Sequence, residues 1–212
     1  MAESYMEKQD VRLKMKEMRE QLPPAEAGAL SRRAGRRLDS FLVFMGALRV
    51  GIYAAVRGEM DFSSLWSESS DAKRTYCFPR VGKDVLHFCP VNHPEAELQP
   101  GALRIPEPVR DIPPLDVNEL DVVVTPGLAF DLYGGRLGIG GGYYDRTFQA
   151  RRGGLHGPGP LLVGAGYAFQ LLAGESWKRD EWDVGVDWVI TDREALRCLP
   201  REYMPQEADE YG

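Results

Sequence analysis

The run Asp121-Val122-Val123-Val124 stops at Thr125-Pro126-Gly127, and shortly beyond it six glycines occupy the nine positions 134 to 142. An apolar run without alternation reads as a strand buried on both faces, hence central in a sheet. Both faces of such a sheet need cover, so the chain is expected to be α/β, three layers α/β/α around a mostly parallel sheet. Sheets of this kind bind ligands in loops at the C-terminal ends of their strands, and the glycines follow such an end.

The remaining segments supply the layers. Between Lys8 and Leu22 the apolar residues Val11, Met15, Met18 and Leu22 follow helical spacing, while Lys8, Arg12 and Arg19 share a neighbouring face. Pro23 and Pro24 break this helix. A second helix follows, burying Ala27, Leu30, Ala34, Leu38 and Phe41 and turning Arg32, Arg33, Arg36 and Arg37 to solvent. Strands are expected at 48–55, before Arg57-Gly58-Glu59; at 74–78, ending at Pro79-Arg80; at 84–88; at 161–164; and at 187–191, which closes the sheet. Asp61 is placed to cap a short helix, and a hairpin and a helix are expected after the central strand. Residues 90–116 carry seven prolines and read as an ordered but irregular excursion. Residues 151–160 read as a glycine-rich surface loop, and the acidic tail beyond Pro200 as loose.

With 212 residues, 43% hydrophobic and 27% charged, the chain suits one domain spanning 1–212. Its 26 basic and 32 acidic residues give a net charge of −6, so no positive field exists to hold nucleic acid. Cys77, Cys89 and Cys198 are odd in number and lack metal-ligand spacing, which argues against a disulfide framework or a structural zinc and fits a reducing cytoplasm. The start of the chain is polar and mixed in charge, unlike a secretory signal. The most apolar run, 41–48, falls far short of the roughly 20 residues that span a bilayer, so no membrane is expected. His87, His93 and His156 show neither triad nor metal spacing, and Trp66, Trp177, Trp182 and Trp188 read as packing residues.

Glycines permit positive φ and close approach to a ligand, and consecutive N–H groups facing one way make an anion nest. A helix beginning near Tyr143 would add its free N–H groups and dipole. The segment lacks the lysine of a Walker A motif, and a dinucleotide fingerprint counted from Gly138 and Gly140 meets Tyr143 where its third glycine belongs. A glycine-rich β-hairpin turning at Tyr133-Gly134-Gly135-Arg136 accounts for the composition equally well.

A longer pattern separates these readings. Pro126-Gly127-Leu128, Phe130-Asp131, Gly135-Arg136-Leu137-Gly138 and Gly140-Gly141-Gly142-Tyr143-Tyr144-Asp145 together resemble the signature of the 5-formyltetrahydrofolate cyclo-ligase, or methenyltetrahydrofolate synthetase, family. Weaker likenesses in family order are Lys8 with Arg12, the stretch from Gly51 to Glu59, Phe78-Pro79-Arg80, Ile105-Pro106-Glu107-Pro108, and Asp183 with Asp187. The resemblance implies a three-layer α/β fold acting as a monomer on the small molecule 5-formyltetrahydrofolate. With ATP and Mg²⁺ it would yield 5,10-methenyltetrahydrofolate, ADP and phosphate. Phosphorylating the formyl oxygen turns a poor leaving group into a good one, so that a neighbouring folate nitrogen can close the ring. Such a site needs positioning and cationic charge more than a side-chain nucleophile.

Carried over residue by residue, the resemblance puts Lys8, Arg12 and Arg136, with Leu137, Gly138, Ile139, Gly140, Gly141, Gly142, Tyr143 and Tyr144, on ATP. Lys8, Arg136 and Tyr144 are the catalytic candidates; Ala54, Glu59, Ile139, Gly140 and Tyr143 face the folate; Asp145 and Asp180, with Asp183 as competitor, hold Mg²⁺. Taken singly, Lys8 and Arg12 also fit a solvated helix edge, Arg136 a surface turn, Asp145 a dipole-favoured first-turn acid and Glu59 a cap or surface residue. Of Tyr143 and Tyr144, one is expected to stack on a ligand ring and the other to pack. Ile139 stands where many relatives carry an aromatic or basic residue, and Trp182 where a histidine is frequent. Two other readings remain at this point: a folate- or nucleotide-binding homologue without turnover, and a sugar-phosphate enzyme on a related fold, which would need a general base near the nest.

Overall fold

A computed structural model describes residues 6–67, 73–101, 104–151, 159–174 and 177–200. Helix α1 (Lys8–Glu20) buries Val11, Met15 and Arg19, four residues apart. The expected stripe is therefore turned: Met18 is exposed and Leu22 half-buried. The reason is that Val11 and Met15 pack on Leu128, Leu137 and Trp177 beside the glycine segment rather than on the main sheet. Helix α2 (Pro24–Met45) starts with proline at a first-turn position, where its missing N–H costs nothing, and ends at Gly46 with φ 64° and the Ala47 amide donating to Leu42 O. Ala34, Leu38 and Phe41 are buried as expected, with Ala27 and Leu30 half-buried. Arg32, Arg33 and Arg36 are solvated, but Arg37 is not: it donates to the carbonyls of Thr191 and Asp192, tying α2 to the end of the sheet.

The further elements are β1 (Arg49–Gly51), α3 (Ser64–Ser67), β2 (Thr75–Val81), β3 (Leu86–Val91), α4 (Pro94–Glu97), β4 (Leu98–Pro100), β5 (Pro106–Pro108), β6 (Val122–Pro126), β7 (Ala129–Asp131), β8 (Arg136–Leu137), α5 (Tyr143–Thr147), β9 (Leu161–Ala165), β10 (Leu171–Leu172), β11 (Trp188–Ile190) and β12 (Ala195–Arg197). The main sheet runs β12-β11-β9-β6-β1-β2-β3, with β6 at its centre. Its inner pairings are parallel, and only the outer pairs β2–β3 and β11–β12 are antiparallel. Val122 and Val124 face the core under α2, and Val123 faces the opposite core with Phe88, Phe130 and Phe148, so the valine run is buried on both sides. The second face is covered by short pieces, Phe148 beyond α5 and the Val184–Val186 stretch, rather than by a long helix.

Three strand expectations need correction. The strand at 48–55 shortens to β1, because beyond Ile52 the chain leaves the sheet for the cleft described below. β2 does not stop at Pro79. That proline pairs with Phe88 of β3, while β1 on the other side ends opposite Cys77, so the missing N–H breaks no ladder bond. β11 does not close the sheet, since β12 adds antiparallel outside it.

The proline-rich stretch contains the β4–β5 hairpin and is fastened by Arg80, which donates to the Val109 and Ile112 carbonyls. Asp61 accepts from the Ser63 amide just ahead of α3. Trp177 is buried and Trp66 and Trp188 pack on the core, but Trp182 is 58% exposed and is no packing residue. The three cysteines are free and buried, and burial pushes the Cys77 and Cys198 thiols up to about 12, out of reach of thiolate chemistry. The tail beyond Pro200 and most of the 151–160 loop lie outside the described residues. No described helix is long and apolar enough to cross a membrane.

Candidate active site

The site is built at the end of β6 around one phenylalanine. A Cβ at Gly127 would stand 2.6 Å from the Phe130 ring, and one at Gly164 would collide with the same ring. Phe130 therefore lies across the ends of β6 and β9 only because both strands are bare there. Asp131 follows, fully buried, and its Oδ1 accepts from the Tyr133 and Gly135 amides at 2.8 Å and from Arg179 at 2.6 Å. This carboxylate organises the turn of the β7–β8 hairpin, and the glycine loop follows directly after that hairpin. β8 then delivers Arg136 and the loop 138–142.

Among the described residues the amides of 138–142 donate to no other protein group. They border a cleft of about 840 Å³. Every candidate site residue named from the sequence lines it: Lys8 and Arg12 from α1, Ala54 and Glu59 beyond β1, the stretch from Arg136 to Asp145, and Asp180 with Asp183. α5 has only five residues, so its dipole offers an anion less than expected.

The cations are already paired. Lys8 Nζ donates to Asp180 Oδ2 and Asp183 Oδ2, both at 2.7 Å. Burial lowers the proton affinity of Lys8, but these two carboxylates outweigh it and hold the ammonium above its ordinary value. Arg12 Nε donates to the Gly138 carbonyl at 3.0 Å, anchoring the loop to α1. Arg136 donates to Asp145 Oδ1 at 2.8 Å and lies 5.2 Å above the Tyr144 ring, which in turn stacks on Phe148. Tyr143 sits under Arg146. Both tyrosines border the cleft, Tyr144 packed on Phe148 and Tyr143 beside the Arg146 cation. Burial raises the Tyr144 phenol against the opposing pull of Arg136, so it stays protonated.

Glu59 caps its own turn, accepting from the Val56 amide at 3.1 Å. Burial raises its carboxyl above the ordinary range, partly offset by that amide, Arg19 and Arg57. A raised carboxyl makes stability greatest below the unfolded value and loses it as pH climbs through the folded one. In the ligand-free protein, Glu59→Gln should therefore raise the melting temperature at pH 7.5, with the advantage gone below about pH 4. A lowered melting temperature at pH 7.5 would contradict this.

Sequence reasoning missed several residues. Arg19 lines the cleft, whereas spacing alone marks it only as part of a cationic helix edge; its offset of seven from Arg12 puts it on the same face. Arg179, which fastens Asp131, gave no signal because its partner lies 48 positions away. Arg146 grips the Gly141 carbonyl at 3.0 Å and the Asp84 carbonyl at 2.5 Å, joining the loop to the β2–β3 turn.

Residues 4–192 match the 5-formyltetrahydrofolate cyclo-ligase family. This chain belongs to that family. It is 34% identical over 187 residues to the 5-formyltetrahydrofolate cyclo-ligase of Escherichia coli K12, covering 84% of this chain and 96% of that one. It also resembles the NMR structure of Aquifex aeolicus 5,10-methenyltetrahydrofolate synthetase, with a TM-score of 0.77 and 30% identity across 97% of this chain and all of the other. The synthetase of Mycoplasma pneumoniae shares the fold at a TM-score of 0.69 and 23% identity, across 88% of this chain and 99% of that one. Membership of a cyclo-ligase family makes this chain a ligase by class and leaves the sugar-phosphate reading without support.

The carboxylates suit the divalent ion such a cyclo-ligase would use with its nucleotide. Both hydrogen bonds to Asp145 fall on Oδ1, from Arg136 and from the Val184 amide at 3.2 Å, leaving Oδ2 for another cation. Asp183 is the residue before Val184, so the two acidic segments meet here. Among the described residues no three His, Cys, Asp or Glu side chains cluster tightly enough to hold a metal alone. Hard oxygen donors completed by phosphate oxygens are what Mg²⁺ prefers.

Proposed function

We propose that this chain uses ATP to convert 5-formyltetrahydrofolate to 5,10-methenyltetrahydrofolate, releasing ADP and phosphate, as a single-domain monomer in the cytoplasm. The observation that carries the proposal is the row of unengaged amides at 138–142, sharing one cleft with Lys8, Arg12 and Arg136 and with the half-buried acid Glu59. The amides and cations suit a polyphosphate, and a carboxylate suits the donor N–H groups of a pterin.

In this scheme Lys8, Arg12 and Arg136, with the backbone from Leu137 to Gly142, hold the triphosphate, while Ala54, Glu59, Ile139, Gly140 and Tyr143 seat the folate. The γ-phosphoryl group passes to the formyl oxygen as its bond to the β-phosphate oxygen breaks. The second folate nitrogen then attacks the formyl carbon, the carbon–oxygen bond breaks, phosphate leaves and the nitrogen's proton goes to solvent. Arg136 is fixed before the reaction begins, and a protonated Tyr144 can donate to an oxygen gaining charge. Mg²⁺, held by Asp145 and by Asp180 or Asp183, would neutralise phosphate charge.

The test follows the methenyl chromophore at varied ATP and Mg²⁺. Wild type should form product only with both ligands and Mg²⁺. Lys8→Ala should raise the ATP KM about tenfold, the equivalent of ~1.4 kcal/mol. Asp145→Ala should raise the Mg²⁺ needed for half-maximal rate at least about tenfold. Absence of product from wild type would end the proposal, and unchanged constants in both variants would end the assignments.

A further inference from the structure

Glu59 is presented by an unusual turn. Val56 O accepts from the Glu59 amide at 3.0 Å, and between them Arg57 has φ +51° and Gly58 φ +73°. Glycine adopts that conformation freely, but arginine does so at a cost, and such outliers persist only where surrounding structure holds them. The holder is Arg19: from the inner face of α1 its Nη2 donates to the Arg57 carbonyl at 2.7 Å.

Arg19 is poorly suited to a purely structural post. It is only 7% exposed, and its Nε has no hydrogen-bond partner among the described residues. An unmet buried donor is a standing cost that an apolar side chain of similar length would remove. What an apolar side chain could not supply is a positive charge beside Glu59 and a grip on the turn. We propose that Arg19 is a positioning residue for the cyclo-ligase reaction, clamping the left-handed turn at Arg57 so that the Glu59 carboxylate is aimed at the donor N–H groups of the folate ring.

The charges around Glu59 are few. Arg19 comes from α1 and Arg57 from the turn itself, while Tyr53 beyond β1 and Tyr144 from α5 feel the carboxylate as a neighbour. Glu20, Asp61 and Tyr167 share the adjoining recess with Glu59 and Arg19. Both phenols are raised and stay neutral near pH 7, so the arginines carry the positive charge that opposes burial. Only Arg19 is itself buried there, whereas Arg57 is exposed to screening solvent.

The inference rests on the folate role of Glu59, and its test separates the two. In the full-length protein the Glu59 side-chain carboxyl is titrated by ¹³C NMR without ligand, for wild type, Arg19→Met and Arg19→Lys; kinetics are then measured for these and for Glu59→Gln. Arg19→Met should shift the Glu59 titration to higher pH and raise the folate KM about tenfold, with the ATP KM within about twofold, as expected when a charged partner is lost. Its folate 1/KM should fall off at higher pH than wild type, and Glu59→Gln should abolish that acid limb. Arg19→Lys, which keeps the charge, should recover most of the titration and part of the KM. An unmoved Glu59 titration in Arg19→Met, or an ATP KM rising as much as the folate KM, overturns the proposal. If Arg19→Met does not fold, Arg19→Lys decides, since a wild-type titration with an intact turn is required of it. A Glu59→Gln enzyme with normal folate KM would instead overturn the folate role while the titration still reports on Arg19.

Discussion

Replacing Arg136 by alanine lowers kcat on the order of 10²–10³-fold, with a much smaller loss of folding stability. The size of the effect follows from preorganisation. The Arg136 side chain is only 6% exposed and is held at its tip by Asp145 and along its plane by the Tyr144 ring. Its backbone lies in β8, paired with β7. A charge fixed in this way needs no reorganisation when phosphate oxygens gain charge, which is where electrostatic catalysis is strongest. Arg136→Lys should recover little, because an ammonium can neither stack on Tyr144 nor present a planar fork to Asp145 and a phosphate together. The fold should survive alanine, since Asp145 keeps the Val184 amide and partial solvent access. The check is kcat from methenyl absorbance alongside a urea midpoint. A kcat within about threefold of wild type would remove Arg136 from the reaction, because a donor of this kind is normally worth about 3 kcal/mol.

Asp131→Ala costs about 3–5 kcal/mol of stability, the usual consequence of removing one partner from a buried ion pair. Against a total of about 5–15 kcal/mol for a domain, that leaves a protein close to unfolding. Asp131 is fully buried, so alanine takes from the Arg179 guanidinium the carboxylate 2.6 Å away and also leaves the Tyr133 and Gly135 amides without their acceptor. The damage should reach the cleft, because Arg179 precedes Asp180, and Asp180 with Asp183 holds Lys8. Asp131→Asn should be milder, keeping the amide acceptor while losing the ion pair. The double change Asp131→Leu with Arg179→Met should be less damaging than Asp131→Ala alone, as no charge is then left uncompensated. Urea unfolding of the three variants checks this ordering. A midpoint for Asp131→Ala within about 1 kcal/mol of wild type would mean that the pair contributes little.

Much of the site was legible because its residues lie close together in the chain or carry a local signature. Six glycines in nine positions, Arg136 and Asp145 sit within one short segment, and Lys8 and Arg12 are one helical turn apart. What was misread depended on distant partners. Arg37 looked solvated because its acceptors, the Thr191 and Asp192 carbonyls, are more than 150 positions away. Trp182 looked like a packing residue by composition, yet stands exposed at the cleft. Pro79 looked like a strand end, and became harmless only because β1 is short.

The amino-acid order alone determined that a valine strand would run through the middle of a parallel sheet and that the glycine segment would follow it, since burial on both faces and freedom at φ are properties of the side chains present or missing. Tertiary structure alone decided which charges meet: that Lys8 lies between Asp180 and Asp183, that Arg179 fastens Asp131, and that Arg19 reaches the turn before Glu59. A periodicity reports which face of an element is buried, but the partner of a buried charge is set by where other elements bring their ends.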